Sequence, residues 1–141
     1  MSRPTRTFKL RLSPAGMDLL IDCHCHLIRA TRSLIPWGTT LHVAVVHLSA
    51  MATSEIGASL DDLYIAALLG EEEHHVGAPH HLVQVASSIS ARIAEAGTHR
   101  MPTSLGAVYL LALQCLLRAD GAHLLTVYDQ MRSRSESQRF G

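Results

Sequence analysis

From Thr5 to Leu12 the chain alternates, with Phe8, Leu10 and Leu12 on one side and Lys9 and Arg11 on the other, the period of a short edge strand or extended arm. After it the period changes. Ser13-Pro14 places a capping hydroxyl before a proline at the first helical position, and Asp18 and Asp22 precede Arg29 and Arg32 as a helix dipole prefers. A helix is therefore expected from about Pro14 to Ser33. Met17, Leu20, Ile21, His24, Leu27 and Ile28 form its apolar face, and Asp18, Asp22, Cys25, Arg29 and Arg32 its polar stripe. A strand over 19–28 is the alternative, because alternation would put Asp22, His24 and His26 on one face.

Pro36-Trp37-Gly38 interrupts the pattern, and the Val-rich stretch Thr39 to Leu48 fits either period. It reads as a strand near 40–48 or as a helix reaching Ala52 with Leu41, Ala44, Val45, Leu48 and Met51 on one face. Ser59 precedes Asp62 as in a capping box, which predicts a helix through Leu63, Ala66, Ala67 and Leu69 to the acidic cluster near Glu71, ended by Gly77-Ala78-Pro79. The next helix is expected from about Pro79 to Ala96, with Gly97 as its stop. Thr103 or Ser104 caps a run from Leu105 to Leu117 that is apolar on nearly all sides. Asp120-Gly121 then turns into a last helix through Leu124, Val127, Tyr128 and Met131. The expected fold is mainly α, a single-domain bundle of about five helices over 13–132. A basic extended arm or strand at 1–12 precedes it, and a disordered tail at 133–141 follows. The alternative is an α+β fold with strands near 5–12, 19–28 and 40–48.

Composition agrees with one helical domain: 141 residues, 48% hydrophobic but only 4% aromatic, call for a core of Leu, Ile, Val and Ala. The formal charge is zero but unevenly spread. Residues 1–17 carry Arg3, Arg6, Lys9 and Arg11 with no acid, and beyond Gln130 Arg132, Arg134 and Arg139 outweigh Glu136, while the body between is acidic. Basic ends of this kind suit an acidic protein partner, a neighbouring subunit or nucleic-acid phosphates, which makes Arg3, Arg6, Lys9, Arg11, Arg132 and Arg134 the candidate contacts. Cys23 and Cys25 stand too close for an ordinary structural disulfide, and neither a signal peptide nor a membrane-length apolar run is read. A reduced, cytoplasmic protein without a membrane partner is expected.

Chemistry concentrates in Asp22-Cys23-His24-Cys25-His26, a run of metal-ligating residue types inside an apolar stretch. Leu20-Ile21-Asp22-Cys23-His24-Cys25-His26-Leu27 resembles the opening strand of metal-dependent amidohydrolases and TatD-type nucleases, where a His-x-His pair ends the first barrel strand. The resemblance implies metal-ligand roles for His24 and His26 and a metal-dependent hydrolase. The (β/α)₈ barrel of those families needs ~200 residues or more, which this chain does not supply. On a helix, His24 and His26 diverge while Asp22 and His26 sit one turn apart. Asp22 and His26 are then expected to face the same way, with His24 packed toward the core as a neutral imidazole.

Glu71/His74, Glu72/His75 and Asp120/His123 have the spacing of the Glu-x-x-His pairs in carboxylate-bridged bundles. Glu72 and His75 thus join Asp22, His24 and His26 as candidate ligands for zinc or another divalent metal. His80-His81 reads as a surface pair, and His42, His47 and His99 as isolated residues. No nucleophile motif, phosphate-binding glycine loop or Cys-x-x-Cys occurs, so no catalytic residue and no cofactor is assigned. The function expected is that of a small binding protein, an adaptor, inhibitor or regulator acting through protein–protein contacts as a homo-oligomer, in which a partner subunit covers Leu105–Leu117. A metal-dependent hydrolase using the Asp22–His26 cluster and a nucleic-acid-binding regulator using the Arg-rich termini are the alternatives.

Overall fold

The computed structural model of the chain describes residues 5–96 and 103–140, with 5–6 and 135–140 as backbone. Strand β1 (Thr5–Leu12) leads into α1 (Pro14–Thr31), α2 (Trp37–Ser49), α3 (Thr53–Asp62) and the short turn of α4 (Ile65–Leu68). Strand β2 (Glu72–Pro79), α5 (Leu82–Glu95), α6 (Leu105–Arg118) and α7 (Gly121–Phe140) follow. The fold is mainly helical with one small antiparallel sheet, β1 against β2. Arg3, Gly97 and His99 lie outside the described residues.

Helix α6 forms the centre. Val108, Leu110, Leu111, Ala112, Leu113 and Leu116 are buried, and α1, α2 and α5 pack around it. Ser104 caps it, its side chain accepting from the Ala107 N–H at 3.2 Å. The run that the pattern marks as apolar on nearly all sides is thus covered within one chain, which removes the reason for expecting a partner subunit there. Helix α1 begins as its cap predicts, with Ser13 Oγ accepting from the Gly16 N–H at 3.1 Å. It ends where Arg32 enters the left-handed region at φ 53° and its N–H reaches the Ile28 carbonyl at 2.7 Å.

The ambiguous Val-rich stretch is helix α2, so neither 19–28 nor 40–48 is a strand. Leu41, Val43, Ala44, Val45 and Leu48 are all buried there, because α2 lies between α6, α5 and β2, and enclosure outweighs the strand preference of valine. Gly38 permits this placement: a Cβ on it would fall 1.5 Å from the Gly77 carbonyl oxygen of β2.

The segment after Ala52 departs from the expected pattern. Ser59 lies inside α3, lining a cleft with Cys115, and is not a cap; the helix stops at Asp62, with Leu63 extended. Residues 72–79, expected as the end of a helix and a break, form β2. Partner chemistry explains this: Glu73 lies opposite Arg11 and His75 opposite Lys9, while Val76 and Ala78 turn inward. Gly77, read as part of a break, sits within the strand. Helix α5 accordingly starts at Leu82. Its Arg92 rivets the α2–α3 corner, donating to the carbonyls of Ser49 and Met51, each at 2.8 Å, and to Thr53 Oγ1 at 3.0 Å. Among the described residues, no helix is long and apolar enough to cross a membrane.

Candidate functional site: the open edge of strand β1

The ligand-rich cluster 22–26 lies on α1, and the helix sends its members in different directions. His24 is buried; its Nδ1 pairs with Thr40 Oγ1 at 2.7 Å, and its ring stacks on Trp37 with centroids 3.9 Å apart and planes at 15°. Burial lowers its pKa below the ordinary 6.5, so the imidazole is held neutral, as expected from its place on the apolar face. Cys23 donates to the Leu113 carbonyl at 3.2 Å, and burial, then the neighbouring Asp22 charge, pushes its thiol up to about 12. His26 Nε2 donates to the Ala119 carbonyl at 2.8 Å, at the C-terminal end of α6, and Asp22 and Cys25 are exposed.

Cys23 and His26 fasten α1 to α6, and His24 fastens it to α2. His24 and His26 diverge, and the opening strand that the hydrolase resemblance requires is a helix here. The Glu-x-x-His geometry expected at 71–75 does not form either, since three residues along a strand separate the faces of β2. Glu72 Oε1 lies 3.8 Å from His74 Nε2, and His75 is exposed. Among the described residues, no three His, Cys, Asp or Glu side chains gather as a metal centre requires.

The basic candidates separate as well. Arg132 and Arg134 are exposed on α7, where the Arg132 guanidinium lies 5.6 Å from the Tyr128 ring centre. Helix α7 packs on α1 and α2, whereas β1 packs on β2 and α1. Only the backbone of Arg6 is described. Lys9 and Arg11 are 51% and 64% exposed and share one carboxylate, that of Glu73, at 3.7 and 3.1 Å.

These last two cations flank a trough. Lys9, Leu10, Arg11 and Leu12 line a cleft of about 210 Å³ with Leu69, Gly106 and Leu110. Thr7, Phe8 and Lys9 line another of about 390 Å³ with Val83, Leu105, Gly106 and Tyr109. The two share Lys9 and Gly106, so they form one furrow between β1 and the first half of α6. Consecutive β1 residues, whose side chains alternate between faces, can line one furrow only if it follows the backbone edge. No β2 residue lines it, so this is the edge away from β2.

The lower end of that edge is closed. The Gly70 N–H donates to the Arg11 carbonyl at 3.3 Å, and the Ser13 N–H donates to the Leu68 carbonyl at 2.9 Å. Gly70 allows the close crossing, since a Cβ on it would fall 2.5 Å from Ser13 N. Alternation puts the peptide groups of Thr7 and Lys9 on the same edge, above the closure. A Cβ on Gly106 would meet nothing within 4 Å, so the side of the furrow is open there.

No protein-family model, no curated protein and no solved structure matches the chain.

The furrow is therefore read from its own chemistry, which combines a strand edge with no partner strand among the described residues, an apolar wall from Leu105, Tyr109 and Leu110, and two cations at the rim. Alternation marks Lys9 and Arg11 as outward residues, but not which edge of β1 stays open. Gly106 carries the one sequence signal for that, a lone glycine in the first turn of an otherwise apolar helix, which weakens the helix and so needs a packing or functional reason.

Proposed function

We propose that the protein is a protein-binding module of the adaptor or regulator kind. In this reading it takes an extended, acidic segment of a partner protein as an added strand along the open edge of β1. The single observation carrying this reading is the pair of adjoining clefts that follow Thr7–Leu12 past Gly106. Main-chain hydrogen bonds to Thr7 and Lys9 supply affinity that does not depend on partner sequence. Specificity comes from alternation in the added strand: side chains on one face reach Lys9 and Arg11, and those on the other drop toward Leu105 and Tyr109. One Glu73 carboxylate for two cations leaves positive charge to be matched, which selects acidic residues on the outer face. The same cations oppose pairing of β1 with β1 of a second copy, as charged edge strands do elsewhere.

The test is fluorescence anisotropy with short labelled peptides that alternate Val with Asp, with Ser or with Lys. The Asp series is expected to bind most tightly and to weaken with salt. Gly106→Leu, which projects a side chain into the furrow, is expected to reduce that binding about tenfold or more while the helical circular dichroism is retained. Equal binding of the three series, or full binding by Gly106→Leu, overturns the proposal.

A further inference from the structure

A cleft of about 510 Å³ opens away from β1, where the C-terminal ends of α2 and α6 meet the beginnings of α3 and α7. His47, in the last turn of α2, forms part of its wall and is only 8% exposed. His123, in the first turn of α7, faces it with ring centres 5.2 Å apart and planes at 66°. The Nδ1 atom of His47 is enclosed and has no hydrogen-bond partner among the described residues. A neutral imidazole tolerates this by carrying its one proton on Nε2. An imidazolium cannot, because the second proton would be an N–H donor on an enclosed atom that faces no acceptor among the described residues.

We infer that the His47–His123 pair is a proton-operated latch, which fastens the start of α7 to α2 at neutral pH and releases it on acidification. Burial first, and His123 second, hold the His47 imidazole below its ordinary value of 6.5. The other titratable or charged groups around the cleft are Glu55 on α3, Cys115 and Arg118 on α6, and Asp120 at the α6–α7 corner. Arg118 opposes a further positive charge. Glu55 and Asp120 favour one, but both are exposed at the rim, and Asp120 Oδ1 already accepts from the Ala122 N–H at 3.4 Å.

A protonated His47 is relieved by moving its ring out into the cleft, and there it meets His123, so the first turn of α7 must give way. The hinge is the corner at Ala119, which His26 holds by donating from Nε2. Release therefore begins beyond Asp120 and uncovers Leu124 and Val127, both buried against the bundle.

Amide hydrogen exchange followed by NMR at pH 7.5 and 5.5, in the full chain, tests the latch. Opening of the amides from Ala122 to Val127 is expected to rise by up to about tenfold per pH unit below 6.5, while α5 stays unchanged. His47→Gln is expected to abolish the rise, and His123→Gln, at an exposed position, to diminish it. A His47 ring that titrates at or above 6.5, an α7 opening that ignores pH, or an undiminished rise in His47→Gln overturns the inference. Should His47→Gln fail to fold, an undiminished rise in His123→Gln overturns it equally.

Discussion

The cluster at 22–26 and the edge of β1 invert the expectation that the most reactive residues mark the working surface. Asp22-Cys23-His24-Cys25-His26 holds the densest ligand chemistry in the chain, yet Cys23, His24 and His26 spend it on Leu113, Thr40 and Ala119 to lock α1 against α6 and α2. Strand β1, ordinary in composition, leaves a backbone edge unpaired among the described residues and two cations facing solvent. The difference is one of satisfaction. Polar groups whose partners lie inside the chain rigidify it, whereas those still lacking a partner are available to another molecule.

The contrast predicts that removing His24 costs stability and leaves peptide binding alone. His24→Ala loses the Trp37 stack and strands the buried Thr40 hydroxyl, so we expect a loss of about 3 kcal/mol in urea denaturation. A loss below about 1 kcal/mol, or weakened peptide binding, would erase the distinction between the two regions. The same burial sets a pH dependence. Since His24 and His47 are both held below 6.5, the unfolded chain takes up protons first, and stability falls as pH drops from 6.5 toward their folded values. Thermal melts between pH 7.5 and 5.5 check the sign, and a protein that gains stability over this range contradicts the assignment.

Gly106→Ala sharpens the comparison from the other side. A methyl in the first turn of α6 meets no neighbour, so stability should rise by up to about 1 kcal/mol while peptide affinity falls, opposite signs that a purely structural glycine would not produce. The smallest effects belong to the exposed members of the cluster. Asp22→Asn and Cys25→Ser should each stay within about 0.5 kcal/mol in denaturation and leave binding unchanged, and a larger effect would mean that the cluster has a role beyond packing.

Most helices were legible because their evidence is local. Ser13-Pro14 and Ser104 cap α1 and α6 as their residue types prescribe, and the inward face of α5 repeats with helical period. His24 could be placed in the core because helical spacing set it among Leu20, Leu27 and Ile28. Strand β2 escaped detection because its identity is not local: Glu72 to His75 becomes strand through pairing with a segment sixty or more positions earlier, and only Val76 and Ala78 show the alternation. His47, taken as isolated, gains its neighbour His123 only when α7 folds back onto α2. The furrow was hidden for the same reason, since it joins β1 to α6.

The measurement that tests the central claim most directly is an amide NMR titration with an acidic, alternating peptide. The amides of Thr7 and Lys9 should shift and gain exchange protection as a new strand pairs with them, while those from Asp22 to His26 stay still. A response centred on Asp22 to His26, with Thr7 and Lys9 unchanged, would contradict the account.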